Sequence, residues 1–168
     1  MTPVVAAVAL GSNLGDRARH LREALDRIGA LAGVALRASS RPRETSPVGG
    51  PPQGAYLNGV VLLETTLGPR ELLESLLSIE QLGGRVRRER NGPRTIDLDL
   101  LFHGDALHDG PGLTLPHPRL HLRDFVLEPL AEVAPDWRHP RLGLTARELL
   151  EALRLRGAAE RGREAAAT

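Results

Sequence analysis

The apolar residues of this chain repeat with two periods that alternate along it. Residues 4–10, VVAAVAL, form a short, β-branched apolar run broken at Gly11, the pattern of a buried strand. Beyond Gly15, the stretch RARHLREALDRIGAL spaces Leu21, Leu25 and Ile28 for one face of a helix, with Asp16 placed to cap it. Residues 34–41 predict a weaker strand, and RPRETSPVGGPPQGA after it reads as a loop rich in proline and glycine. Residues 56–65 predict a second clear strand. Pro69 then opens a helix carried by Leu72, Leu73, Leu76, Leu77 and Ile79 and stopped at Gly83 and Gly84. An arginine-rich stretch reads as a loop and residues 95–102 as a strand. Residues 113–115 suit a small hairpin, and residues 147–155 a late helix.

The order strand, helix, strand, strand, helix, strand predicts an α+β fold of the ferredoxin-like, split βαβ (βαββαβ) type. Its antiparallel sheet carries both helices on one face, and a C-terminal helix is added to it. A single domain over residues 1–156 is expected, with residues 157–168, poor in anchors, fraying as a tail.

Composition narrows the function. With 168 residues, 41% of them apolar, the chain is long enough for one domain with a real core. No apolar run approaches the length that a bilayer demands and the start is not signal-like, so a soluble, cytoplasmic protein is expected. The absence of cysteine removes disulfides, thiolate nucleophiles and cysteine zinc sites. All 22 basic residues are arginine, so a phosphate-binding loop built on lysine is excluded; phosphate must be held by arginine, backbone amides or metal.

The segment RVRRERNGPRTIDLDLLFHGD sets an unusual problem, because Asp97 and Asp99 stand inside a strand that otherwise reads apolar. Residues two apart on a strand project from the same face, roughly 7 Å apart, so both aspartates point away from Ile96, Leu98 and Leu100. Two like charges side by side need cations, and Mg²⁺ is commonly bound by one or two carboxylates together with substrate phosphates. The alternative is an exposed sheet face on which these aspartates pair with Arg94 or a neighbour. Just before them, Arg85, Arg87, Arg88, Arg90 and Arg94 collect positive charge against Glu89 alone, and glycines 83, 84 and 92 allow that loop to move and to close on an anion. A solvated charge run or a nucleic-acid patch would share this pattern. A formal net charge of +1 and an aromatic content of 2% weaken the nucleic-acid reading, because single-strand binders need stacking platforms. Arginines beside carboxylates point instead to Mg²⁺ and a nucleoside polyphosphate. Tyr56 and Phe125 lie in polar surroundings and would suit either a core or the two faces of a flat heterocycle, whose edge an amide such as Asn58 could read.

Four segments, ALGSNLGDR, YLNGVVLLET, GPRTIDLDLL and LPHPRLHLRDFVLEPLAEVAP, occur in order over about residues 4–140. Together they resemble the 6-hydroxymethyl-7,8-dihydropterin pyrophosphokinases of folate biosynthesis. The resemblance implies a ferredoxin-like fold and a monomer that acts on neither nucleic acid nor membrane. It also implies an ATP-dependent diphosphokinase (EC 2.7.6.3) that uses two Mg²⁺ ions to transfer pyrophosphate to the pterin hydroxymethyl group and release AMP. By position, Asp97 and Asp99 match metal-binding aspartates; Tyr56 and Phe125 match the rings that sandwich the pterin; and Asn58, with the backbone around Thr45 and Val48, matches the groups that read its edge. Arg85 and Arg94 match loop arginines on the reactive phosphates. Thr114, His117, Arg123, Leu100 and Glu80 match positions around ATP. Three departures from the family pattern stand out: Asn91 replaces a tryptophan in a loop one residue shorter, Leu77 a glutamine, and Pro118 an aromatic residue. A non-catalytic nucleotide- or pterin-binding module and an RNA-binding sheet are the competing readings.

Overall fold

The computed structural model of the chain describes residues 2–47, 50, 52–83 and 95–167, and the expectations for Val48, Arg85, Arg94 and the loop between the arginines fall outside them. Its sheet contains β1 (Val4–Ser12), β2 (Val34–Ser39), β3 (Arg43–Thr45), β4 (Tyr56–Thr65) and β5 (Asp97–His103), ordered β2-β4-β1-β5 with β3 also paired to β4. All pairings are antiparallel. Helix α1 (Arg17–Gly29) links β1 to β2, and α2 (Pro69–Leu82) links β4 to β5. Two interleaved βαβ units thus give the ferredoxin-like order that the two alternating periods predict.

Each helix begins where its local chemistry allows. The Asp16 carboxylate accepts the Arg19 N–H at 3.2 Å, satisfying one of the orphan amides of α1. Pro69 opens α2, and the Glu71 carboxylate accepts the Gly68 N–H at 3.1 Å. Leu21, Ala24 and Ile28 from α1, with Leu72, Leu76 and Ile79 from α2, pack on Ala6, Val8, Leu10, Leu63, Leu98 and Leu100. Fully burying a side chain of this size contributes about 1.5–3 kcal/mol, so this layer is the main hydrophobic support of the sheet.

A second apolar layer covers part of the opposite face. There Ala7, Val60, Leu101 and Phe102 meet α3 (Asp124–Val133) and the buried first turns of α4 (Ala146–Ala167). A β-bulge makes this possible. Val8 pairs with Leu100 but Ala7 with Phe102, so Leu101 is the extra residue, and Phe102 joins Leu101 in the second layer while Leu100 stays in the first. Phe102 stacks on Trp137 with centroids 4.1 Å apart.

The structure differs from the sequence reading in three places. The segment read wholly as a loop contains β3, which pairs three residues with β4. Helix α3 forms where none was predicted and carries Pro129 within it; its buried Val126, Leu127 and Leu130 outweigh the breaker. The tail does not fray after Arg156. Helix α4 continues to Ala167 although nearly all of that part is exposed, because its alanines, glutamates and arginines are strong helix formers that propagate the packed first turns through Gly157 and Gly162. The hairpin expected at 113–115 is present as β6 (His108–Gly110) paired with β7 (Leu113–Leu115).

Candidate active site

Beyond the second apolar layer, the same face of the sheet is open. Position 11 of β1 lies opposite Asn58 of β4 on one side and Asp97 of β5 on the other, and Ala9 lies opposite Asp99. Ala9 and Gly11 offer almost no side chain, so the central strand is the low floor of a trough between Asn58 and Tyr56 on one bank and the two aspartates on the other. A Cβ at Gly11 would stand 2.9 Å from Asn58 Oδ1. The resulting cleft holds about 580 Å³, enough for a compact ligand or two ligand fragments end to end.

Its walls come from loops and from a helix start. Asn58 Nδ2 donates to Thr45 Oγ1 in a close contact, fixing the amide against β3. Asn13 Nδ2 donates to Gln53 Oε1 at 2.6 Å and to the Gly54 carbonyl at 3.2 Å, which holds the rim segment over the floor. On the far side, Arg123, Asp124, Phe125 and Val126 line the cleft from the N-terminus of α3, where the Asp124 carboxylate accepts the Phe125 N–H at 2.8 Å and the Arg123 carbonyl accepts the Val126 and Leu127 N–H groups at 3.1 and 2.9 Å. The Arg123 guanidinium carbon lies 5.5 Å from the Phe125 ring centroid, a cation–π contact that orients both side chains. At the other end of α3, Glu132 accepts the Arg41 N–H at 2.7 Å and an Arg43 guanidinium N–H at 2.8 Å, tying the helix to the β3 side of the cleft.

His117 is the strongly perturbed acid–base group here. Burial, then the Arg123 and Arg119 charges, push its imidazolium down to about 4 against the opposing pull of Asp97. The ring is therefore neutral at pH 7. Its Nδ1 accepts the Arg119 N–H at 3.2 Å, which places the proton on Nε2 and makes that atom the ring's donor. The His117 N–H itself donates to the Leu101 carbonyl at 2.8 Å, so the segment is anchored to β5.

Of the residues singled out by sequence, Thr45, Tyr56, Asn58, Asp97, Asp99, His117, Arg123 and Phe125 all line this cleft. Three do not. Leu100 is buried in the layer under α1 and α2, Thr114 lies in the β6–β7 hairpin, and Glu80, at 2% exposure, is buried in α2. Gly11, Ser46, Pro47, Gln53, Arg119 and Asp124 line the cleft without having been singled out. A signal for Gly11 was present: alternate positions 7, 9 and 11 are Ala, Ala and Gly, a strand face too small to fill its own surface.

Two carboxylates on one strand face suit a hard divalent cation that keeps waters and takes further oxygens from a phosphate ligand. Among the described residues no group of three or more His, Cys, Asp or Glu side chains could form a cage of its own. The donor set therefore fits Mg²⁺ shared with a substrate.

A sequence profile of 7,8-dihydro-6-hydroxymethylpterin-pyrophosphokinase (HPPK) matches residues 7–135. A 2-amino-4-hydroxy-6-hydroxymethyldihydropteridine pyrophosphokinase of Synechocystis is 49% identical over 147 residues, 87% of this chain and 74% of the relative. One from Pseudomonas aeruginosa is 46% identical over 133 residues, 79% of this chain and 82% of the relative. Among solved structures, Plasmodium falciparum HPPK-DHPS with pterin and p-hydroxybenzoate superposes with a TM-score of 0.73 at 16% identity, covering 95% of this chain and 44% of that one. The same protein with pteroate gives 0.70 at 17% identity, covering 90% and 42%. This chain spans less than half of those two-enzyme chains, and at such identities the likeness concerns the fold.

Proposed function

We infer that this chain, which belongs to the 7,8-dihydro-6-hydroxymethylpterin-pyrophosphokinase family, transfers the pyrophosphoryl group of ATP to 6-hydroxymethyl-7,8-dihydropterin in folate biosynthesis and releases AMP. The observation that carries this reading at the level of residues is the shared cleft, where Tyr56, Asn58 and Phe125 face the paired aspartates across a floor of alanine and glycine.

The pterin lies flat between Tyr56 and Phe125, with the Asn58 amide and the backbone around Thr45 and Val48 bonding its edge. That pose turns the hydroxymethyl group toward Asp97 and Asp99. ATP lies along the β5 side, with its phosphates toward His117 Nε2–H, Arg119 and Arg123; Leu100 and Thr114, which do not line the cleft, are assigned to the nucleoside by the family resemblance alone. Arg85 and Arg94 are assigned to the same phosphates. The hydroxymethyl oxygen attacks the β-phosphorus in line, the bond from that phosphorus to the α,β-bridging oxygen breaks, AMP leaves with that oxygen, and the hydroxyl proton passes to solvent water. Asp97 and Asp99 would hold Mg²⁺, two ions in our reading, which when bound would supply charge neutralisation of the phosphates and a lowered pKa for the attacking hydroxyl. The cationic side chains stabilise the charge that builds on the transferred group and on AMP, and the stacked rings supply orientation. We further assign the enzyme to the cytoplasm as a monomer; no helix among the described residues is long and apolar enough to cross a membrane.

The test is incubation with ATP, Mg²⁺ and 6-hydroxymethyl-7,8-dihydropterin, followed by quantitation of AMP and the pterin diphosphate. Both products should appear in equal amounts. Binding of both ligands without AMP release would make the protein a non-catalytic module, and ADP in place of AMP would make it a simple phosphoryl transferase.

A further inference from the structure

The strand that carries both aspartates lies at an edge of the sheet. Among the described residues β5 has β1 on one side and no strand on the other, so its outward peptide groups need partners from elsewhere. At Leu98, the residue between Asp97 and Asp99, that partner is Glu80: the Leu98 N–H donates to Glu80 Oε2 at 2.8 Å. A carboxylate at 2% exposure on an otherwise apolar helix face is costly to bury, which argues against a filler role. The contact also sits in a seam of unusual closeness. At the end of α2, a Cβ at Gly83 would lie 2.7 Å from Ile96 Cγ2, so α2 presses on β5 immediately before the aspartates begin.

We propose that Glu80 is a positioning residue for the reaction: from beneath the sheet its carboxylate holds the peptide between Asp97 and Asp99 and thereby sets the spacing and direction of both side chains toward the cleft. The proposal rests on the pyrophosphoryl-transfer reading above and adds to it a residue that does not line the cleft. Asp97 and Asp99 project from one face of β5 while Leu98 and its neighbours project from the other, so a rotation of the Leu98 peptide swings both carboxylates together. A hydrogen bond at that peptide therefore constrains two side chains at once. Through Leu98, α2 is coupled to the chemistry without touching substrate.

Two mild variants separate reach from charge. Glu80→Gln keeps an acceptor oxygen at the same reach without the charge, and Glu80→Asp keeps the charge but is one methylene short. Exchange of the Leu98 amide is followed by NMR on the protein without nucleotide, pterin or metal, and kcat and KM are measured with ATP, Mg²⁺ and 6-hydroxymethyl-7,8-dihydropterin. Glu80→Gln should leave Leu98 protected and retain a kcat well above that of Glu80→Asp. Glu80→Asp should speed Leu98 exchange by at least roughly tenfold relative to core amides and lower kcat by at least about tenfold, with the pterin KM within about threefold. Loss of kcat in Glu80→Gln together with rapid Leu98 exchange would agree with the proposal, because the bond is then lost in both variants. Loss of kcat with Leu98 still protected would overturn it in favour of a charge-based contact with nucleotide. So would two variants of parental kcat, or an active Glu80→Asp in which Leu98 exchanges fast. Absence of AMP release from the parent protein would instead defeat the functional reading, leaving the Leu98 exchange result to stand by itself.

Discussion

At the scale of single residues, the cleft is defined as much by what is missing as by what is present. Asp97 and Asp99 can act on one ligand only because Ala9 and Gly11 leave the strand beside them bare. If the carboxylates bind the metal–nucleotide, Asp97→Ala and Asp99→Ala should each lower kcat by about 100-fold or more with an unchanged melting temperature; a loss under tenfold at saturating Mg²⁺ would return them to an ordinary sheet surface. Gly11→Ala is the subtler test. Its methyl group would meet Asn58 Oδ1 well inside contact distance, and Asn58 cannot retreat without leaving Thr45. Pterin affinity should fall by roughly tenfold, about 1.4 kcal/mol, while ATP affinity changes by less than about twofold; isothermal titration with each ligand separately decides the matter.

At the scale of elements, the helices divide by function. Helices α1 and α2 support the sheet from below, whereas α3 begins at the cleft and supplies Arg123 and Phe125 from its first turn. Helix α4 contributes packing through Ala146, Leu149 and Leu150, and its part beyond Arg156 is almost wholly exposed. Removing residues 157–168 should therefore leave both the melting temperature and kcat close to those of the full chain, with far-ultraviolet circular dichroism reporting only the helix removed. A large drop in stability would mean that the distal turns of α4 have a packing role that their exposure conceals. Period alone did not reveal α3, because Pro129 interrupts it; β3 was hidden because three residues between prolines and glycines carry no period at all.

At the scale of the whole molecule, two histidines, the half-buried His117 and the buried His139, link stability to pH. Burial, then the Arg123 and Arg119 charges, lowers His117 to about 4; burial, then His121 and Arg141, lowers His139 as well. An unfolded chain would titrate both near 6.5. Between those values the unfolded state binds more protons than the folded one, so stability is full above about pH 6.5 and declines as the pH falls toward the folded values. The melting temperature of the ligand-free protein should drop between pH 7 and pH 5, and His117→Gln should flatten part of that slope while His139 maintains the rest. A slope identical in the variant would show that folding does not lower the His117 pKa.

What the sequence determined by itself is the plan of the molecule. The 3.6 and 2.0 periods are local consequences of which residues must face a core, so β1, α1, the weaker β2, β4, α2 and β5, their order and hence the split βαβ topology could be read directly. So could the two aspartates on one face of β5, because side-chain alternation is a property of any strand. The grouping of Tyr56, Asn58, Phe125 and His117 around them came from resemblance of motifs, not from any rule of spacing. Only the tertiary structure decided the rest. Register placed Gly11 between Asn58 and Asp97, the bulge at Leu101 turned Phe102 to the second layer, and the pressing of α2 on an edge strand placed Glu80 under Leu98. Each joins residues far apart in the chain through pairing and packing, which no local period encodes: a period records which face of an element is buried, and contact between elements depends on what the rest of the chain puts against it.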